Sequence, residues 1–147
     1  VNVLPLLKQY QVKATIYIIY NSIGQTDYLT KEQIKELIDS GLVEIGSHCL
    51  DHYNLTALTS SSAYSQISGS KDKLEKDFSI KVKSFAYPYG AYSSSTIAMV
   101  KQAGYEAAVS ILPGIKQSSN NLYSLYRLRS GGTTGNYLLN IFEKYKS

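Results

Sequence analysis

The amino-acid sequence predicts an α/β fold with a mostly parallel sheet, open or closing towards a barrel. Helical and strand-like segments alternate along the chain, and no hairpin signal joins two strands directly. The strand-like segments, such as residues 14–19, are nearly continuous β-branched and apolar runs, which is typical of strands covered on both faces. The 147 residues form one domain large enough for a substantial core, and no internal linker divides them.

Five helices alternate with five strands in this prediction. The helices are expected over residues 2–10, 31–40, 62–78, 93–103 and 136–145. The strands are expected over residues 14–19, 42–45, 82–86, 107–112 and 125–129. Helical spacing of apolar residues predicts these inward-facing side chains: Val3, Leu4 and Leu7; Ile34, Leu37 and Ile38; Ile67, Leu74 and Phe78; Leu138, Leu139 and Phe142.

Local signals set the ends of the helices. Pro5 lies in the first turn of the first helix, where its missing N–H costs little. Thr30 and Gln33 form a capping box for the second helix, which Gly41 ends. Gly104 ends the fourth helix. The second helix therefore connects two strands, and the crossover is expected to be right-handed.

Composition excludes several classes of protein. The net charge is +4, but the basic residues are scattered among acidic ones without a cluster, which disfavours a nucleic-acid partner. No apolar run approaches the roughly 18 residues of a membrane span. No secretory signal is visible. Because the chain begins at Val1 and not at methionine, we expect it to be a processed or excised product.

Both histidines of the chain, His48 and His52, lie in one short segment. Residues 43–45 read as the end of a buried strand, and Gly46 and Ser47 are expected to open a turn. Two neutral imidazoles held close together are a pair of ligands for a divalent metal, most commonly zinc. Strand ends are also where α/β proteins place their chemistry. A solvated histidine pair is the alternative that this spacing leaves open.

One common zinc motif does not fit this segment. In a His-Glu-x-x-His helix, two histidines bind zinc and the glutamate acts as the base. Cys49 stands where that glutamate would be, and the residues before His48 are strand-like. A metallopeptidase of that kind is therefore not expected.

A second strand end delivers the turn Tyr87-Pro88-Tyr89-Gly90. Together with the histidine segment and the order of the elements, this turn resembles the polysaccharide deacetylase family, carbohydrate esterase family four. Residues 45–52 are similar to the motif in which two histidines bind the metal. Residues 85–90 are similar to the motif that walls the substrate groove. Weaker similarities at residues 10–16, 104–109, 113–114 and 125–128 extend the resemblance over essentially the whole chain.

The resemblance implies a distorted (β/α)7-type barrel and a metal-dependent hydrolase outside the cell or at the cell wall. Its substrate would be an N-acetylated polysaccharide such as a chitin-like chain, peptidoglycan or poly-N-acetylglucosamine, deacetylated by a metal-activated water. His48 and His52 would bind the divalent metal, with zinc expected. The backbone N–H of Tyr89 would stabilise the oxyanion, while Tyr87, Pro88 and Gly90 would contact the substrate.

The sequence also departs from the family pattern. The family's Thr-Phe-Asp-Asp-Gly motif, which supplies the base and the third metal ligand, is absent, and no Asp-Asp pair occurs. We expect the motif, and the first strand that carries it, upstream of Val1, so that residues 1–147 are a partial catalytic domain. The family's late histidine has no counterpart either, and Arg127 or Arg129 is expected to take over part of its electrostatic role.

The absent base and late histidine leave open a non-catalytic glycan-binding module of the same fold. The resemblance also implies a second alternative, an esterase that removes O-acetyl groups from xylan, as some family members do. A missing strand would also expose a sheet edge, through which self-association is expected.

Overall fold

The computed structural model describes residues 3–128 together with residues 135, 139, 140, 143 and 144. Helices and strands alternate, as predicted. The helices are α1 (Leu4–Tyr10), α2 (Lys31–Asp39), α3 (Ser60–Phe78) and α4 (Ser94–Gln102). The strands are β1 (Ala14–Ile18), β2 (Val43–Ser47), β3 (Ser84–Ala86) and β4 (Ala107–Val109).

The four strands form one parallel sheet in the order β1-β2-β3-β4. Each strand therefore pairs with the next one in sequence, as consecutive strands of a (β/α) barrel do. Leu125 adds an isolated parallel bridge to Val109 at the far side. Strand β1 lies at the other edge of the sheet within the described residues, and self-association through that edge stays a prediction.

The core lies between this sheet and its helices. Ile45 and Phe85 from the strands pack with Ile34 of α2, Ile67 of α3 and Val100 of α4, all of them buried. The capping box at the start of α2 is confirmed, because Thr30 Oγ1 accepts from the Gln33 amide and Gln33 Oε1 accepts from the Thr30 amide. Within the described residues, no helix combines the length and hydropathy that a membrane crossing requires.

Three predictions about the strands need correction. Gly46 and Ser47 do not open a turn, because β2 continues through Ser47 and Gly46 pairs opposite Tyr17. The fourth strand ends at Val109, and the side chain of Ser110 then accepts the amide of Leu112 in a local turn. The fifth strand is reduced, in its described part, to the bridge at Leu125.

The prediction was also wrong for two side chains that were expected to face inward. Val3 is 50% exposed. It precedes α1, which begins at Leu4, and Leu4 is the buried residue of that helix. Leu139 is 61% exposed. The remaining inward residues predicted for the last helix, Leu138 and Phe142, lie outside the described residues.

Candidate active site

The imidazoles of His48 and His52 meet beyond the C-terminal end of β2. Their Nε2 atoms are 3.1 Å apart, and the ring centroids are separated by 4.8 Å with the planes at 61°. His48 directly follows β2, and its amide donates to the carbonyl of Ile18 at the end of β1. The strand end therefore fixes the position of the first imidazole, and the second is brought to it by the following loop.

A backbone hydrogen bond fixes the ring of His48. Its Nδ1 atom lies 2.7 Å from the carbonyl oxygen of Ala86, the last residue of β3. A carbonyl can only accept, so we assign the proton to Nδ1, which makes Nε2 the unprotonated nitrogen that carries the lone pair of the neutral ring. This arrangement is how proteins commonly orient a metal-binding histidine.

The surroundings of His48 also favour its neutral form. Burial lowers the pKa of His48 below its ordinary value, and the nearby positive charge of Arg127 acts in the same direction. The hydrogen bond to the Ala86 carbonyl opposes this effect without reversing it. A neutral imidazole is the form that binds a metal, so burial and charge both prepare this side chain for coordination.

The loop between the histidines is hydrogen-bonded to the segment that follows β1. The amides of Tyr20 and Asn21 donate to the carbonyls of Cys49 and Leu50, which ties the loop to the segment after β1. Cys49 is fully buried and adopts a left-handed conformation with φ of 71°. The chain thereby reverses between the two histidines, so that residues 48 and 52 point to one place.

Asp51, which lies between the histidines, is occupied by structural hydrogen bonds. Its carboxylate accepts from the side-chain amides of Asn21 at 2.8 Å and Gln66 at 2.9 Å. The Asp51 amide in turn donates to Gln66 Oε1. These bonds, with that from Asn21 as the largest cause, lower the pKa of Asp51. Its carboxylate therefore braces the loop against α3.

The turn predicted to wall the groove lies beside the histidines. The ring of Tyr89 packs on that of His52, with centroids 4.5 Å apart. Tyr89 adopts a left-handed conformation, with φ of 59°, and is 61% exposed. The amides of Gly90 and Ala91 close the turn by donating to the carbonyls of Tyr87 and Pro88. Within the described chain, the Tyr89 amide donates no intramolecular hydrogen bond.

Tyr87 and Pro88 are buried, whereas Gly90 is partly exposed. The Tyr87 hydroxyl donates to the carbonyl of Tyr123, and its ring packs against Phe85 and Tyr92. Tyr87 therefore supports the turn from below, and the exposed ring of the turn is that of Tyr89. A contact of Tyr87, Pro88 or Gly90 with substrate stays a prediction.

Arg127 lies near the site but is bound to the backbone. Its Nε donates to the carbonyl of Ser110 at 2.6 Å, and its charge reaches His48 and Tyr17. This placement is compatible with an electrostatic role, which stays a prediction. Arg129, the other candidate, lies outside the described residues.

The histidine pair fits two of the ligands of a metal. In a tetrahedral zinc site with Zn–N distances of about 2.0–2.1 Å, two nitrogens are separated by about 3.3 Å, close to the 3.1 Å seen here. The donor set is incomplete, because the described residues contain no group of three histidine, cysteine or acidic side chains that could hold an ion. The pair thus supplies part of a metal site.

Sequence reasoning missed the supports of this pair. The bond from His48 to Ala86 uses a backbone oxygen, which no residue type can signal. Behind the site, Ser47 Oγ lies 2.6 Å from Ser70 Oγ, and the hydroxyls of Ser70 and Tyr105 both donate to the carbonyl of Ile67. All three hydroxyl-bearing residues are buried. Gln66 and Ser70 interrupt the apolar pattern of α3. These two polar residues were the signal in the sequence from which the supporting bonds could have been found.

Comparison with known proteins identifies similar chains. The family model for polysaccharide deacetylase matches residues 1–108. The Bacillus subtilis protein YxkH, whose assignment as a polysaccharide deacetylase is provisional, is 35% identical over 139 residues, which are 91% of this chain and 50% of that protein. The poly-β-1,6-N-acetyl-D-glucosamine N-deacetylase of Staphylococcus aureus is 28% identical over 86% of this chain and 48% of its own.

The solved structures include the Streptococcus pyogenes deacetylase PplD in complex with acetate. It superposes with a TM-score of 0.87 at 29% identity and covers 93% of this chain and 62% of its own. The chain spans about half the length of the curated relatives that it matches.

Proposed function

Because this chain belongs to the polysaccharide deacetylase family, we propose that it forms part of a hydrolase that removes acetyl groups from an N-acetylated polysaccharide. Such a substrate is a chitin-like chain, peptidoglycan or poly-N-acetylglucosamine. The observation that carries the proposal is the convergence of two imidazole Nε2 atoms, 3.1 Å apart, at a strand end. We propose that the protein acts outside the cell or at the cell wall, where such polysaccharides occur.

In this proposal, His48 and His52 hold a divalent metal, with zinc the first choice. When bound, such an ion polarises the acetyl carbonyl and lowers the pKa of water towards neutrality. His48 contributes an Nε2 lone pair, because its Nδ1 proton is committed to the Ala86 carbonyl. The burial that lowers the pKa of His48 favours the neutral ring that carries this lone pair.

The Tyr89 amide is assigned as the donor that stabilises the oxyanion. The left-handed conformation of Tyr89 leaves this N–H without an acceptor in the described chain, while the amides of Gly90 and Ala91 are bonded. A fixed, unoccupied backbone donor next to a metal ligand is what charge stabilisation in acyl transfer requires. The packing of Tyr89 on His52 supports this placement.

The base and the third ligand have no candidate among the described residues. Asp51 is engaged by Asn21 and Gln66, and no third acidic, cysteine or histidine side chain joins the pair in the described part. We therefore propose that both come from sequence outside these 147 residues, in agreement with the upstream motif expected above.

Acetate release tests this proposal directly. The chain, alone and extended by the segment that precedes Val1 in its gene, is incubated with Zn²⁺ and N-acetylglucosamine oligomers. We expect release by the extended chain and its loss in His48→Ala and His52→Ala variants. Absence of release from chitin-type, peptidoglycan and β-1,6-linked oligomers by the extended, zinc-loaded chain contradicts the proposal. Acetylated xylan in the same assay distinguishes an O-acetyl esterase.

A non-catalytic glycan-binding module is the second candidate, and the incomplete ligand set of the described residues favours it. Calorimetric titration with the same oligomers separates the two. Saturable binding without acetate release by the extended chain supports the binding module.

A further inference from the structure

The two imidazoles of the candidate site are held in different ways. His48 is oriented by a hydrogen bond from Nδ1 to the Ala86 carbonyl. His52 makes a hydrogen-bond contact through Nε2, which faces His48, and its Nδ1 has no partner within the described chain. A metal-binding histidine is normally oriented through its second ring nitrogen. Since a metal would take the place of the Nε2 contact, another group has to orient His52 when the site is used for coordination.

The ring of Tyr89 is in position to do this. Its centroid lies 4.5 Å from that of His52 at an angle of 52°, while His48 lies 4.8 Å away at 61°. Tilted and edge contacts at these separations are favourable for aromatic rings. Rotation of the His52 ring would break its contacts with both neighbours, so the two rings together restrict the direction of Nε2.

The conformation of Tyr89 is not explained by packing in the core. Its side chain is 61% exposed, and its φ of 59° is unfavourable for a tyrosine. Such conformations persist where the surrounding structure imposes them, and they are concentrated at functional sites. The bonds of Gly90 and Ala91 to Tyr87 and Pro88 impose this one, and its effect is to place the ring on His52.

We propose that Tyr89 is the positioning residue for His52: its phenol ring holds the imidazole so that Nε2 faces the Nε2 of His48. The inference rests on the proposed function in taking His52 as a metal ligand. It goes beyond that function by giving the side chain of Tyr89 a role separate from that of its backbone amide.

The test compares Tyr89→Ala and Tyr89→Phe with wild type. Alanine removes the ring but keeps the backbone amide, and phenylalanine keeps the ring. Tyr53→Ala is a matched control, because Tyr53 directly follows His52 in sequence, is 55% exposed and makes no ring contact with either histidine in the described chain.

The first measurement uses the metal-free chain. NMR relaxation of the His52 ring carbons and ring-current shifts of its protons report order and the contact with Tyr89. We expect Tyr89→Ala to remove the part of the shifts that is due to Tyr89 and to increase ring motion, and Tyr89→Phe and Tyr53→Ala to leave both unchanged. A His52 ring that stays equally ordered in Tyr89→Ala overturns the proposal, whatever the affinity for zinc.

The second measurement is titration with Zn²⁺ alone. Loss of the ring should weaken binding by about tenfold, the lower end of the range for residues that orient metal ligands. Equal affinity in Tyr89→Ala and wild type, with binding lost in His48→Ala, overturns the positioning role and leaves the metal site intact. This titration uses the extended chain, because the third ligand is proposed to come from outside these 147 residues. Extended wild-type chain that binds no Zn²⁺ contradicts the proposed function, and the metal-free measurement then still decides the role of Tyr89. The midpoint of urea unfolding should be unchanged in Tyr89→Ala, which separates positioning from folding.

Discussion

The Nδ1 atom of His48 donates a hydrogen bond of 2.7 Å to the backbone carbonyl of Ala86, which joins the ends of β2 and β3. Because the partner is a backbone oxygen, its position is determined by the sheet and not by a side-chain rotamer. The candidate metal ligand is thus oriented by the same pairing that forms the fold.

The titration of His48 in the metal-free chain follows from its burial. Burial disfavours the charged imidazole, so the pKa of His48 should lie below the ordinary value of 6.5. The unfolded chain then binds more protons than the folded one as the pH falls below about 6.5, and the free energy of unfolding should decrease there.

NMR titration of the ring protons of His48 in the presence of EDTA measures the pKa. Urea unfolding at several pH values, compared with His48→Gln, isolates the share of this residue. A pKa at or above 6.5 contradicts the prediction.

Substitution Gly46→Ala should destabilise the sheet because of the ring of Tyr17. A Cβ at position 46 would lie 2.5 Å from two carbons of that ring and 2.9 Å from Ser84 Oγ. We expect a loss of about 1–3 kcal/mol in the free energy of unfolding, the usual effect of overpacking. Measured by urea unfolding in a Tyr17→Ala background, the same substitution should cost much less. Equal costs in both backgrounds would show that the ring is not the cause.

Substitution Ser70→Ala should cost stability through the buried hydroxyls behind the site. Ser47 Oγ would lose its partner at 2.6 Å, and a buried polar group left unsatisfied costs about 1–3 kcal/mol. Ser65→Ala on the exposed side of α3 is the control, with an expected change within about 0.5 kcal/mol. The double variant Ser47→Ala/Ser70→Ala should lose less than the sum of the single variants in chemical unfolding. Strict additivity would argue against a shared bond.

Substitution Gly90→Ala should destabilise the protein in two ways, through an unfavourable backbone conformation and through a steric clash. The same substitution at Gly104 tests the backbone effect alone. Gly90 has a φ of 67°, and an added Cβ would lie 2.3 Å from Ile111 Cγ1. Gly104 has a similar φ of 78° but open space around it, so Gly104→Ala should show only the backbone cost of about 1–2 kcal/mol. Thermal unfolding should show a larger loss for Gly90→Ala. Ile111→Ala should reduce that loss without removing all of the excess over Gly104→Ala, because the Cβ of residue 111 still lies 2.9 Å from the added Cβ. A Gly90→Ala variant no less stable than Gly104→Ala is the contrary result.

The sequence predicted the fold well where periodicity and caps act locally. The boundaries of α2 followed from Thr30, Gln33 and Gly41, and the apolar runs around Ile16 and Ile45 identified two parallel strands. Strand β2 is mostly buried, but the expectation that β1 is covered on both faces was wrong, because only Ile18 of this edge strand is buried. Gly46 was assigned to a turn because glycine usually marks one, but the Tyr17 ring on the neighbouring strand needs the missing side chain. That contact depends on the pairing of two strands and cannot be deduced from either one alone.

The candidate site was predictable in its residue types but not in its supports. His48, His52 and the turn at Tyr89 could be found from motifs, and the structure brings these three residues together. The two side chains that donate hydrogen bonds to the Asp51 carboxylate come from distant parts of the chain: Asn21 lies before α2, and Gln66 lies in α3. Such long-range polar bonds carry no periodic signal, so they appear only once the chain is folded.

The order β1-β2-β3-β4 has a consequence for synthesis on the ribosome. Each new strand can dock onto the one that emerged just before it, so the sheet can grow from one side without waiting for distant sequence. The carbonyl that orients His48 is delivered by the third strand, and Tyr89 follows three residues later. The backbone carbonyl and the aromatic ring that contact the two histidines are therefore synthesised before the last third of these 147 residues, whereas Arg127 and the Tyr123 carbonyl that supports Tyr87 follow within it.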